Sequence, residues 1–227
     1  MFRSIASRIE VLTLAFILGN GLAANAAAQQ VDSGFLKDYS QLKIEKDPLG
    51  VERRIWASPK FTQANYQKIL LEPIGFFPSP QASDKVSMEA LTEIRNYMDT
   101  AMRKALASAV SLSDAPGPGV VRVRPAITAA AVAGVQLKAY QYVPVALALT
   151  AAKEASGGSN RDVKLFVESE VTDSVSGEPL ALVVRAAQGI QVKSNEKLTL
   201  KEAKPQIDKW AESVRQYFAA RMKPGGK

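Results

Sequence analysis

The chain has 227 residues, a formal charge of +7 and 22% charged residues, an ordinary globular composition with enough length to bury one sizeable core. It contains no Cys and no His. That excludes disulfides, thiolate nucleophiles, zinc–thiolate sites, lipid attachment to an N-terminal Cys, Ser-His-Asp and Cys-His catalysis, and the H-E-x-x-H metalloprotease site within this chain. Lys and Arg alternate with Asp and Glu and form no basic run, so the positive balance reads as a mildly basic soluble surface and not as a nucleic-acid face.

Residues 1–28 read as an export signal. Arg3 and Arg8 form a basic start, Val11–Leu18 is an apolar core too short to span a bilayer, and small residues follow up to a small-x-small cleavage pattern. Cleavage is expected between Ala28 and Gln29, with cleavage after Ala26 as the alternative. The mature protein is then periplasmic, with a position peripheral to the outer membrane as a variant of that placement. The expected organisation is a signal at 1–28, an extended N-terminal arm at 29–60 and an α+β domain at 61–223.

The arm is polar and broken by Pro48 and Pro59. Its Phe35, Leu36, Tyr39 and Trp56 are expected to pin it onto the main body; the alternative is an arm left unbound that recruits a partner. Tyr66–Phe77 reads as the first core strand, with Pro73 placing a bulge or an edge near its end. From Ser87 to Ala107 the apolar residues Met88, Leu91, Ile94, Met98, Ala101, Met102 and Ala105 recur at helix spacing, with Ser87 as N-cap and Glu89 in the first turn. Val120–Thr128 alternates Val121 and Val123 against Arg122 and Arg124, a strand with one wet face.

Ala129–Gln141 is alanine-rich and fits either element. Val143–Ala155 reads as a helix, with Pro144 at its start and glycines beyond its end. Val163–Ala187 is a β-hairpin, two alternating runs joined by a turn at Asp173–Glu178 in which Gly177 supplies a positive φ. A third short strand is expected at Gly189–Val192. Thr199 and Glu202 form a capping box that opens a C-terminal helix with Ile207, Trp210, Val214, Tyr217, Phe218 and Met222 on one stripe.

Three patterns suggest chemistry. Glu168, Glu170, Asp173 and Glu178 gather near the hairpin turn and could hold a hard cation such as Ca²⁺, but no EF-hand spacing is present and alternation points Glu168 and Glu170 at solvent. Ser40-x-x-Lys43 and Ser194-x-x-Lys197 match the S-x-x-K of penicillin-recognising enzymes without the accompanying S-D-N or K-T-G. Arg122 and Arg124 could hold an anionic ligand on the wet strand face, or make charge pairs to the acidic hairpin. No residue set here specifies a cofactor, a metal or a catalytic centre.

With these residues in view, the chain resembles a bacterial lipoprotein family known as domain of unknown function 3313. The resemblance rests on Ser33-Gly34-Phe35-Leu36 with Asp38-Tyr39-Ser40, on Tyr66 before ILLEPI, and on Arg124-Pro125-Ala126-Ile127-Thr128. It continues through Val143-Pro144-Val145, Glu170-x-x-Asp173-Ser174, Gly177-Glu178 and Trp210. It implies an exported envelope protein with a mixed α/β domain and no assigned catalytic residues. The chain departs from the pattern in lacking the lipobox Cys, so it does not imply anchoring through a lipidated cysteine.

The expected fold is therefore α+β: a mostly antiparallel sheet between about residues 67 and 192, covered on one face by the helices at 87–107 and 200–222. The expected function is a non-catalytic protein that binds another envelope or cell-wall component, with contacts drawn from Phe35, Tyr39, Trp56, Arg122 and Arg124. A binder of small ligands or anionic glycans using Arg122 and Arg124 is the alternative, and a carboxylate-dependent hydrolase is a third.

Overall fold

The computed structural model describes residues 32–80, 82, 86–132, 160–193 and 195–222. The signal at 1–28 and the helix expected at 143–155 lie outside the described residues. The architecture is α+β. Strands β1 (Lys43–Lys46), β2 (Glu52–Ala57), β3 (Lys68–Leu71) and β4 (Gly75–Phe76) precede helix α1 (Met88–Ala107). Then come β5 (Ser111–Leu112), β6 (Val120–Val132), β7 (Asn160–Asp173), β8 (Pro179–Lys193) and helix α2 (Leu200–Arg221). They form one mixed sheet in the order β1-β2-β8-β7-β6-β3-β5, with β4 beside β6.

Each element follows from local chemistry. Ser87 caps α1 by accepting the Ala90 N–H, and Thr199 with Glu202 closes the expected capping box on α2. Pro205 sits inside α2 without ending it. Pro73, which has no N–H to donate, falls where the expected 66–77 strand breaks into β3 and β4. Both pieces run parallel to β6, whereas β6, β7 and β8 pair antiparallel. The first four residues of the ambiguous 129–141 stretch simply continue β6.

The third strand expected at Gly189–Val192 is instead the end of β8. The ladder steps from Leu165↔Ala187 to Val163↔Ile190, so Gly189 marks a bulge in a long strand and not a break between two. A second register shift lies between Val171↔Ala181 and Thr172↔Pro179. It drops Leu180 out of alternation with Leu182 and Val184, and Leu180 joins the helix-side core.

The sheet also begins earlier than the expected residue 67. The arm is not merely extended: β1 and β2 form a hairpin, and β2 pairs along β8 from Arg53↔Arg185 to Ala57↔Ala181. Arginines and a glutamate gave this stretch no strong strand signature, and pairing to β8 overrides that weak propensity.

The helices cover one face. Leu91, Ile94, Met98, Met102 and Leu106 of α1, and Ile207, Trp210 and Phe218 of α2, pack on Ile69, Leu71, Val121, Val123, Leu165, Val167 and Val171. Each fully buried aliphatic or aromatic side chain contributes about 1.5–3 kcal/mol. Met98 and Met102 are core, as their spacing predicts, while Met88 at the helix start stays exposed. On the opposite face a smaller cluster gathers Phe35, Leu36, Ala126, Leu182 and Val184, with Tyr39, Leu42 and Trp56 against it.

Candidate functional site

The arm crosses the sheet face that the helices leave open, and one phenol organises it there. The Tyr39 hydroxyl accepts the backbone N–H groups of Gly34 at 3.0 Å and Leu36 at 3.1 Å, meets the Ser33 hydroxyl at 3.2 Å, and donates to Glu168 Oε2 at 2.6 Å. Gly34, with φ of 80°, provides the left-handed turn that folds residues 33–36 around the phenol. Burial, and then the hydrogen bond to Glu168, push the Tyr39 pKa up to about 12.

Glu168 is 1% exposed. Alternation put it on the face away from the helices, and that part of the expectation is right. It is not solvated, because the arm covers that face. Its neighbour Glu170 receives both Arg124 Nε at 3.1 Å and Nη2 at 2.8 Å, and the Arg124 guanidinium lies 4.1 Å from the centre of the Phe35 ring. Phe35 in turn meets Phe77 edge-on at 5.7 Å. On the other side of the arm, Arg54 pairs with Asp32 at 2.6 Å and lies over the Tyr39 ring.

The structure thus brings Phe35, Tyr39 and Arg124 together with Glu168 and Glu170. Trp56 sits half-buried at the border of the same cluster. Arg122 stands apart, exposed and paired with Glu72.

The four acidic residues near the hairpin turn do not converge. Asp173 accepts the Val175 and Ser176 N–H groups and the Tyr66 hydroxyl, which makes it the cap of its own turn. Glu178 pairs with Lys60 at 2.7 Å, and Glu168 and Glu170 belong to the arm. Among the described residues no group of three or more acidic side chains could hold a metal ion. Ser40 and Lys43 are both exposed, and Ser194 lies outside the described residues.

Sequence reasoning missed a second polar cluster, under α2. Asp47 in the β1–β2 turn, Arg185 on β8 and Ser213 on α2 are all buried. Arg185 donates to Asp47 Oδ2 and to Ser213 Oγ at 2.9 Å, and Ser213 donates to the same Asp47 oxygen at 2.6 Å. The other Asp47 oxygen accepts the Leu49 and Val51 N–H groups at 2.8 Å each. Burial pushes the Asp47 carboxyl up, but the Ser213 hydroxyl, the Val51 N–H and Arg185 together outweigh it and hold the pKa below its ordinary value. Burial likewise lowers Arg185 to about 10, against the attraction of Asp47. The available signal was a charged Arg185 ending a hydrophobic run, LALVVR, on a strand whose neighbours are core.

A cavity of about 250 Å³ opens beside α1, lined by Pro73, Ile74, Arg95, Asn96, Asp99 and Thr100. Asp99 there accepts the Ile74 N–H at 3.0 Å and pairs with Arg103 at 2.8 Å, so its carboxylate is occupied by the fold.

A family model described as Protein of unknown function (DUF3313) matches residues 31–214. The chain is 34% identical over 170 residues to the uncharacterized lipoprotein YdcL of Escherichia coli K12, a match covering 75% of this chain and 77% of that one. Among solved structures, the PelC dodecamer from Paraburkholderia phytofirmans is similar at 10% identity and a TM-score of 0.35, over 76% of this chain and 97% of that one. The hypothetical protein CT253 from Chlamydia trachomatis is similar at 9% identity and a TM-score of 0.33, over 54% and 72% of the two chains.

Proposed function

Because this chain belongs to the family described as Protein of unknown function (DUF3313), we propose that it is an exported cell-envelope protein that binds another envelope component and performs no chemistry of its own. The lipoprotein relative supports the envelope placement, and so does the signal pattern at residues 1–28.

The observation that carries the non-catalytic reading is how the two carboxylates buried among the described residues are used. Asp47 is tied to Arg185 and Ser213 beneath α2, while Glu168 is tied to Tyr39 beneath the arm. A carboxylate-dependent hydrolase needs two such groups facing one substrate, and these two lie against opposite faces of the sheet. The anionic-ligand alternative loses its cations in the same way, since Arg124 is matched to Glu170 and Arg122 to Glu72.

The proposed contact uses exposed Arg122 and the uncovered part of half-buried Trp56, with Phe35, Tyr39 and Arg124 holding the face between them. In-cell cross-linking of the periplasm followed by mass spectrometry tests the reading. A reproducible envelope adduct is expected, and recovery of the monomer alone overturns partner binding. If the adduct survives charge reversal at Arg122, the rim is not the contact. A cytoplasmic pool with residues 1–28 intact would overturn the export assignment.

A further inference from the structure

The arginines among the described residues differ in what their guanidinium groups meet. Arg54, Arg103, Arg122, Arg124, Arg185 and Arg215 are each ion-paired with a carboxylate. Arg53, Arg95 and Arg221 meet no carboxylate among the described residues; Arg95 donates to Asn96 Oδ1 at 2.7 Å, whereas Arg53 and Arg221 share one aromatic neighbour. Their guanidinium carbons lie 4.6 Å and 4.8 Å from the centre of one ring, that of Tyr217. The Arg221 guanidinium also lies 5.8 Å from the centre of the Phe61 ring.

Arg53 and Arg221 are half-buried, and Arg53 Nε is buried without a hydrogen-bond partner. Desolvated cationic donors left unmatched are costly, and a ring face compensates them only in part. The nearest candidate for relief does not supply it. Glu45 stands directly opposite Arg53 in the β1–β2 ladder, yet it is exposed and forms no ion pair with it. Arg185, close by, is already neutralised by Asp47. The corner where β2 meets the last turn of α2 therefore holds two positive charges that no carboxylate among the described residues pairs. A last-turn arginine favours the helix end, which accounts for Arg221 but not for Arg53.

We propose that Arg53 and Arg221, seated on Tyr217, form a binding site for a phosphate group. Two guanidinium forks supply planar, charge-assisted donors and a double positive charge, which a phosphate matches with several oxygens and up to two negative charges; a single carboxylate leaves half the charge unmet. The site is independent of the proposed partner contact, since Arg122 and Trp56 take no part in it. The same phosphate chemistry is offered by the free ion and by an anionic lipid headgroup.

The test uses the full mature chain at low ionic strength, where such contacts are least screened. Inorganic phosphate is titrated against it and followed by ³¹P line broadening and thermal shift. Flotation with phosphatidylglycerol vesicles, against phosphatidylcholine vesicles, forms the second arm. Binding of inorganic phosphate assigns the site to the free ion; binding of phosphatidylglycerol vesicles alone assigns it to a headgroup.

In either case the double variant Arg53→Gln, Arg221→Gln is expected to bind at least tenfold more weakly. A control of equal charge loss at exposed positions, Lys68→Gln with Lys104→Gln, is expected to change binding less than twofold. Should the arginine double variant fail to fold, Glu45→Gln carries the test, because removing the negative charge opposite Arg53 in the ladder raises the local positive potential and is expected to tighten binding severalfold. The proposal is overturned if neither probe binds the wild type, if the control weakens binding as much as the arginine variant, or if Glu45→Gln leaves the affinity unchanged.

Discussion

The two faces of the sheet are held by different physics. The helix face is a broad apolar core with one buried polar triad, Asp47–Arg185–Ser213, at its edge. The arm face has only a handful of apolar side chains, and its geometry is fixed by Tyr39, Glu168, Arg124 and Glu170. Apolar burial on the first face is non-directional and cooperative. On the second, a few directional bonds do most of the ordering. The helix face should therefore govern global stability, while the arm face should open locally at lower cost.

The sharpest way to break that comparison is to remove the ion that pins the β1–β2 turn under α2. Asp47→Ala leaves Arg185 buried without its partner, and breaking such a pair costs about 3–5 kcal/mol. A urea titration monitored by far-UV circular dichroism should show this as a global loss of stability. Replacing both ends, Asp47→Leu with Arg185→Met, should recover part of it, because no charge is left buried unpaired while the Leu49 and Val51 N–H groups and the Ser213 hydroxyl still lose their acceptor. The pH dependence has a definite sign. The Asp47 pKa is depressed in the folded state, so its contribution is fully present above its ordinary pKa of 3.8 and disappears as pH falls through the lower folded value. The Asp47→Ala variant should show a shallower acid limb, since Asp173, Glu202 and Asp208 are also held below their ordinary values.

Tyr39→Phe is expected to cost less, about 1–3 kcal/mol, because Glu168 loses one donor while the Gly34 and Leu36 N–H groups lose their acceptor. The loss should be local. Hydrogen exchange should accelerate across residues 33–42 and stay unchanged in α1 and α2. Here the pKa is raised to about 12, so the contribution is present below pH 10 and fades as pH rises from 10 towards 12. Tyr66, bonded to Asp173, is also raised to about 12, so the variant should show a shallower alkaline limb rather than none. If Tyr39→Phe lowers global stability as much as Asp47→Ala, the two faces do not differ as described.

The legibility of the two faces in sequence differs for the same reason. Helix spacing, Ser87, the Thr199–Glu202 box and the 163–187 hairpin all rest on local periodicity and capping, which a single sequence displays. The strands β1 and β2 do not, because EKDPLGVERRIW acquires its strand character only from pairing with β8. Glu168 shows the limit most clearly. Alternation assigned it to the right face, but nothing in Val163–Ala187 shows that a segment 129 residues earlier covers it. The Asp47–Arg185–Ser213 triad joins a turn, a strand and a helix, so no spacing pattern reveals it. The resemblance carried by Ser33–Ser40 pointed to a block whose physical role, the wrapping of a backbone turn around the Tyr39 phenol, emerges only in three dimensions.

The smallest expected effect separates the two arginines that the strand pattern treats as equivalent. Arg122 is 52% exposed in its pair with Glu72, and an exposed pair of that kind contributes about 0–1 kcal/mol. Arg124 also pairs with an acid, but it presses on Phe35 as well and so ties the arm to the sheet. Arg122→Gln should therefore leave both the denaturation midpoint and the arm unchanged. Arg124→Gln should shift the midpoint by only about 1 kcal/mol yet loosen residues 33–42, and limited trypsin digestion at Lys37 reads that loosening directly. Faster cleavage in Arg124→Gln than in Arg122→Gln is expected. Equal rates would mean that Tyr39 with Glu168, and Arg54 with Asp32, hold the arm without help from Arg124.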